Sequence, residues 1–115
     1  MKTICFFLLL IILASCGNES ETPVNVTLSV KQGETVTLKL NANHSTSYKW
    51  YLTNKPDIVD SVDYNYEVQG SDDGAGGMEY WKFKGIKKGK DSLRFVYRGH
   101  NGTQAGARSY LVEVE

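Results

Sequence analysis

From Val24 to the end, the sequence alternates apolar and polar residues with a period of two, in segments interrupted at regular intervals by turn residues. Val24, Val26, Leu28 and Val30 set the pattern, and Gln32-Gly33 turns the chain. Val36, Leu38 and Leu40 repeat it, followed by Tyr48, Trp50 and Leu52, which end before Asn54-Lys55-Pro56-Asp57. A fourth segment carries Val62, Tyr64, Tyr66 and Val68, a fifth Trp81 and Phe83, and a sixth Leu93, Phe95 and Tyr97. Tyr110, Val112 and Val114 close the chain. No stretch of this region shows the i, i+3, i+4 spacing of an amphipathic helix. About seven short strands with evenly spaced turns predict an all-β, immunoglobulin-like antiparallel sandwich.

The first residues do not fit that domain. Met1-Lys2 precedes a nearly unbroken apolar run from Ile4 to Ala14, which meets Ser15-Cys16. A charged start, a short apolar core and small residues before the cut describe a secretory signal peptide, expected here over residues 1–15. The run is shorter than the roughly 20 apolar residues a membrane-spanning helix needs. Leu13-Ala14-Ser15-Cys16 resembles the bacterial lipobox, which implies cleavage before Cys16 and lipidation of that cysteine. The polar stretch 16–23 then reads as a flexible tether, and 24–115 as the folded domain. The expected location is the bacterial cell envelope, with the domain held to a membrane through its lipid on the periplasmic or cell-surface face.

Cysteine usage agrees. Cys5 lies in the signal, so the exported chain keeps only Cys16 and forms no internal disulfide. Formal net charge is zero, with no basic stripe to suggest nucleic acid. Titratable groups are too sparse for an enzyme. Only His44 and His100 occur, both in predicted loops, where a lone histidine is usually a solvated polar residue. No Cys/His spacing of a zinc site is present. Asp72-Asp73 lack the alternating oxygen ligands of a calcium loop. Ser45, Thr46 and Ser47 beside His44 suit turn or capping roles better than a nucleophile and base. No cofactor and no metal are expected.

What remains are loops. Asn43-His44-Ser45-Thr46-Ser47 joins the second and third strands, Gly74-Ala75-Gly76-Gly77 the fourth and fifth, and Arg98 to Gly102 the sixth and seventh. In a seven-stranded sandwich these connections emerge at one end. Three glycines in four residues contribute no core, but they offer bare backbone that another surface can approach. A simple long turn would use the same residues.

The order of these loops carries a resemblance. Asn43 to Trp50 looks like the Asn-Pro-Thr-Thr-Gly-aromatic-x-Trp signature of the chagasin family, proteinaceous inhibitors of papain-like cysteine peptidases. Gly74-Ala75-Gly76-Gly77 matches that family's Gly-x-Gly-Gly loop in full. The Trp81/Phe83 strand, the Gly89 turn and the Leu93/Phe95/Tyr97 strand follow in the family's order, and the resemblance covers Val24 to Glu115. His44 stands for the motif's proline and Ser47 for its glycine. The third loop departs further: the family's Arg-Pro-Trp (or Phe) is replaced by Arg98-Gly99-His100 or, one residue on, Gly99-His100-Asn101. The proline and large aromatic are missing in either alignment.

The resemblance implies a reversible, non-covalent inhibitor, acting as a monomer with a papain-like cysteine peptidase as partner. Asn43 to Ser47 would enter the cleft beside the catalytic cysteine. Gly74 to Gly77 would pair main chain along its unprimed side, so that valine at Gly76 or Gly77 would weaken binding without unfolding the domain. Arg98, Gly99, His100 and Asn101 would touch the primed side. The alternative is an envelope-anchored binding or structural module on the same fold without inhibitory activity.

Overall fold

A computed structural model describes residues 20–115; the expected signal peptide and Cys16 lie outside this range. Seven strands form in order: β1 Thr27–Val30, β2 Thr35–Ala42, β3 Lys49–Leu52, β4 Val59–Val68, β5 Gly77–Gly85, β6 Gly89–Arg98 and β7 Gln104–Val114. The only helical element among the described residues is a 3₁₀ turn, His44–Thr46. One sheet has the order β1-β7-β6-β3 and the other β2-β5-β4. Every pairing is antiparallel except β1 with β7. The immunoglobulin-like sandwich expected from the alternation is therefore the fold.

The period-two residues meet between the sheets. Leu38, Leu40 and Phe83 from one sheet face Leu93, Phe95, Tyr110 and Val112 from the other, and none is more than 1% exposed. Burying a side chain of this size contributes roughly 1.5–3 kcal/mol, which lets the domain do without a disulfide. Trp81 packs edge-on against Phe95 across the interface, with ring centroids 5.1 Å apart.

Two segments differ from the simple alternation. In β4 the register with β5 shifts between Ser61 and Asp63, leaving Val62 as the extra residue of a bulge, 47% exposed. The bulge carries Tyr64 and Tyr66 to the positions opposite Trp81 and Glu79. At the other end of the sequence, β1 starts at Thr27 rather than Val24, and Val24 and Val26 are exposed. Asn25 adopts the left-handed conformation (φ 68°) and breaks the strand there.

Before that break, the chain lies along the outer edge of β2. Thr22 N–H donates to Lys39 O (2.7 Å), and Lys39 N–H returns a bond to Thr22 Oγ1 (2.9 Å). Asn41 donates from its backbone and its side chain to the Glu21 carboxylate, which is also ion-paired with Arg108. The Arg108 guanidinium in turn lies 5.0 Å from the centre of the Trp50 ring. The described part of the expected tether, residues 20–23, is thus a strap that covers a sheet edge. It runs antiparallel to β2, so Ser20 lies in the same groove as Asn43 and Gly76.

Candidate functional site

The β2–β3, β4–β5 and β6–β7 connections leave the sandwich at one end, and their side chains join them. Asn43 is the hub. Its side-chain oxygen accepts from Ser45 N–H (3.1 Å) and from the Ser45 hydroxyl, capping the 3₁₀ turn. Its Nδ2 donates across to Gly74 O in the glycine loop (3.2 Å). Its own N–H donates to the hydroxyl of Tyr97 near the end of β6 (2.8 Å). Thr46 N–H and Oγ1 both donate to Asn43 O, closing the turn from the other side. Ser45 and Thr46 stand exposed at the tip.

Ser47 ends the turn in the left-handed conformation, with φ 70°. That geometry costs a non-glycine residue roughly 1–2 kcal/mol, so the turn keeps its shape although serine occupies a position suited to glycine.

The sequence reading treats His44 as a solvated residue at the presented edge, whereas its imidazole points inward. Nε2 lies 2.8 Å from Glu79 Oε2, and the ring stacks on Tyr66 with centroids 3.6 Å apart. Glu79 is fully buried, the one buried charged side chain among the described residues. Its Oε2 also accepts from Trp50 N–H (3.1 Å), and its Oε1 accepts from Trp81 Nε1–H (2.9 Å). A carboxylate surrounded by these donors acts as acceptor, so Nε2 of His44 carries the proton it shares with Glu79. The Tyr64 hydroxyl lies 3.5 Å from the same nitrogen, and its pKa is raised, first by burial and then by the Glu79 charge.

Glycine is needed for different reasons within Gly74 to Gly77. Gly74 has φ +80°, which side chains rarely adopt. Gly77 is buried at the start of β5, where a Cβ would lie 2.4 Å from Glu67 O and 2.5 Å from the Tyr66 ring. Valine at Gly77 therefore disrupts the fold, contrary to the sequence expectation. At Gly76 a Cβ would meet nothing closer than Ala42 O at 3.7 Å. The fold does not demand its bare backbone, which is half-buried, with its carbonyl accepting from Gln69 N–H (2.8 Å).

The third loop is a tight turn. Gly102 N–H donates to Gly99 O (2.9 Å), Gly99 N–H donates to Thr103 O (2.9 Å), and Gly102 takes φ +87°. Gly99 is covered by Tyr48, whose ring a Cβ would approach to 3.1 Å. This joins the third loop to the first. His100 and Asn101 are exposed at the tip. The Arg98 guanidinium instead lies 5.4 Å from the centre of the Tyr51 ring, away from the tip.

Sequence reasoning missed Glu79, Tyr66 and Tyr97, which hold the first loop from below. For Glu79 a signal was present: it shares strand parity with Trp81 and Phe83, which places a carboxylate on the core face. Among the described residues no group of three or more His, Cys, Asp or Glu is arranged to hold a metal ion.

Residues 29–114 match the family described as Chagasin family peptidase inhibitor I42. Amoebiasin-1 of Entamoeba histolytica is 25% identical over 91 residues, covering 78% of this chain and 89% of its own length. Among solved structures, the cysteine protease inhibitor EhICP2 from Entamoeba histolytica superposes with a TM-score of 0.65 at 18% identity, over 77% of this chain and 86% of that one. The solution structure of Amebosin gives 0.59 at 23% identity, over 80% and 89%.

Proposed function

This chain belongs to the chagasin family of peptidase inhibitors, a family of non-enzymes, and from that premise we propose that it blocks the active-site cleft of papain-like cysteine peptidases reversibly and without covalent chemistry. The observation that carries the reading is the bonding of Asn43 to the glycine loop and to Tyr97, which presents the loops as one preorganised edge. Similarity to Amoebiasin-1 and to EhICP2, itself a cysteine protease inhibitor, supports the choice of peptidase class.

In this mechanism Ser45 and Thr46 enter the cleft beside the catalytic cysteine. The closed 3₁₀ turn offers the enzyme no extended scissile bond. The backbone around Gly76 pairs with the cleft wall as a substrate strand does. His100 and Asn101 make polar contact on the far side. An interface of about 1,600 Å² held by rigid loops reaches nanomolar affinity, roughly −12 kcal/mol, because little entropy is lost on docking.

The test is titration of the purified protein against papain and a cathepsin L-type enzyme. Tight, reversible inhibition is expected, and a folded protein without effect at micromolar concentration sinks the reading. In the same assay Gly76→Val should weaken inhibition at least about tenfold with an unchanged melting temperature, since a Cβ there blocks backbone approach and touches little else. The compact third loop, which exposes His100 and Asn101 but no large apolar side chain, favours a second reading: a binding module that has kept the sandwich and lost inhibition. Pull-down from envelope extracts, set beside the inhibition assay, separates the two.

For location we propose the bacterial cell envelope, with a lipid on Cys16. Cys16→Ser should then move the protein from the membrane to the soluble fraction. Persistence in the membrane excludes that anchor.

A further inference from the structure

Glu79 touches none of the exposed tips, yet it sits where the inhibitory edge is assembled. It lies on β5 only two residues beyond Gly77, paired with Leu40 on one side and Tyr66 on the other. From there its carboxylate reaches the opposite sheet, accepting the Trp50 N–H that edge strand β3 turns away from β6. It also takes the imidazole of His44, the first residue of the 3₁₀ turn. A buried carboxylate is unfavourable unless partners compensate it. Here Trp50 N–H and Trp81 Nε1–H supply part of the compensation and the first loop supplies the rest through His44, so the need of the buried group helps draw the loop into one position. Tyr66 completes the seat: its ring lies flat against His44, and its hydroxyl accepts from His44 N–H (3.3 Å) while donating to Ala42 O (3.3 Å).

We propose that Glu79 is the positioning residue of the first inhibitory loop, acting through His44 as a buried latch that fixes Asn43 to Ser47 for docking. The inference rests on the inhibitory reading for its kinetic consequence, but the latch itself is read independently of any peptidase. His44 is a latch side chain and not a peptidase contact. The backbone at this position offers a second way of fixing the loop. Residue 44 opens a 3₁₀ turn, and the preceding Asn43 has φ −121° and ψ 88°, clear of the α region that a following proline disfavours. A proline at 44 would thus restrict the turn through its ring rather than through a buried partner; it breaks no bond to a main-chain carbonyl and gives up only the long His44 N–H bond to the Tyr66 hydroxyl (3.3 Å).

The experiment compares wild type, Glu79→Gln, and Glu79→Gln combined with His44→Pro, in two measurements. The first is amide hydrogen exchange of the peptidase-free protein. Glu79→Gln should speed exchange at Thr46 and Ser47 at least about tenfold while Phe83 and Leu93 stay protected. Adding His44→Pro should restore slow exchange in the turn. The second is the inhibition constant against papain, expected to rise about tenfold or more in Glu79→Gln and to recover most of that loss in the double variant. Unchanged turn exchange in Glu79→Gln overturns the latch. Exchange that rises equally in the turn and the core, with no recovery by His44→Pro, also overturns it and makes Glu79 a general stability residue. If Glu79→Gln proves unfolded, Glu79→Asp, which keeps the charge and shortens its reach, gives the same comparison. If exchange behaves as expected while wild type fails to inhibit, the latch stands and the inhibitory reading falls.

Discussion

The first and third loops stand side by side at one end of the sandwich, and they are held in opposite ways. Asn43 to Ser47 is fastened by side chains from three directions: Glu79 and Tyr66 below, Tyr97 behind and the glycine loop beside it. Gly99 to Thr103 is fastened by its own backbone, with Tyr48 resting on Gly99. The first loop therefore depends on residues far away in sequence, and the third depends on almost none. A loop of the first kind holds a demanding shape, including the left-handed Ser47. A loop of the third kind is easy to rebuild without disturbing the domain. Shape is thus specified by the first loop, and the third is the place where the surface of this end can change most freely.

The sharpest way to break this contrast is Asn43→Ala. It removes the cap, worth about 1 kcal/mol, and the bond to Gly74, worth about another. Inhibition should weaken roughly thirtyfold, read as the inhibition constant against papain; a change under about threefold would mean the first two loops are not coupled. Ser47→Gly probes stored strain. Relief of the left-handed penalty, offset in part by glycine's extra freedom when unfolded, should leave a gain of about 0.5–1 kcal/mol. Melting should rise by about 3–6 °C, and a fall would show that the serine side chain has its own role. The smallest effect is expected at the third loop. His100→Ala should change the inhibition constant by less than about threefold, and a larger loss would make this tip a hot spot after all.

The alternation of Leu38, Leu40, Phe83, Leu93 and Phe95 made the sandwich legible, because a period of two admits one face for the core. The three loops were legible by order along the chain. Their fastening was not. His44 and Glu79 are 35 residues apart, so neither residue type nor spacing announces the pair. The bulge at Val62 reassigns the faces of β4, which an unbroken alternation conceals. The glycines of the second loop look alike in sequence, yet one serves a dihedral angle, one a close contact, and Gly76 neither. Glu21 and Thr22 read as tether because they are polar, but their polar groups close the edge of β2.

That strap also sets a direction of approach. It leads toward the end that carries the three loops, and Ser20 already lies in the groove shared by Asn43 and Gly76. With Cys16 lipidated as proposed, three residues separate Cys16 from the strap, a leash of about 14 Å at full extension. The loop edge proposed to block the peptidase would then face the bilayer at close quarters, with too little room for an enzyme to settle on it. Freeing Glu21 and Thr22 back to Thr27 would lengthen the leash to about 35–40 Å and open that space. Capture of a peptidase at the membrane and release of the Glu21–Arg108 pair would become one event.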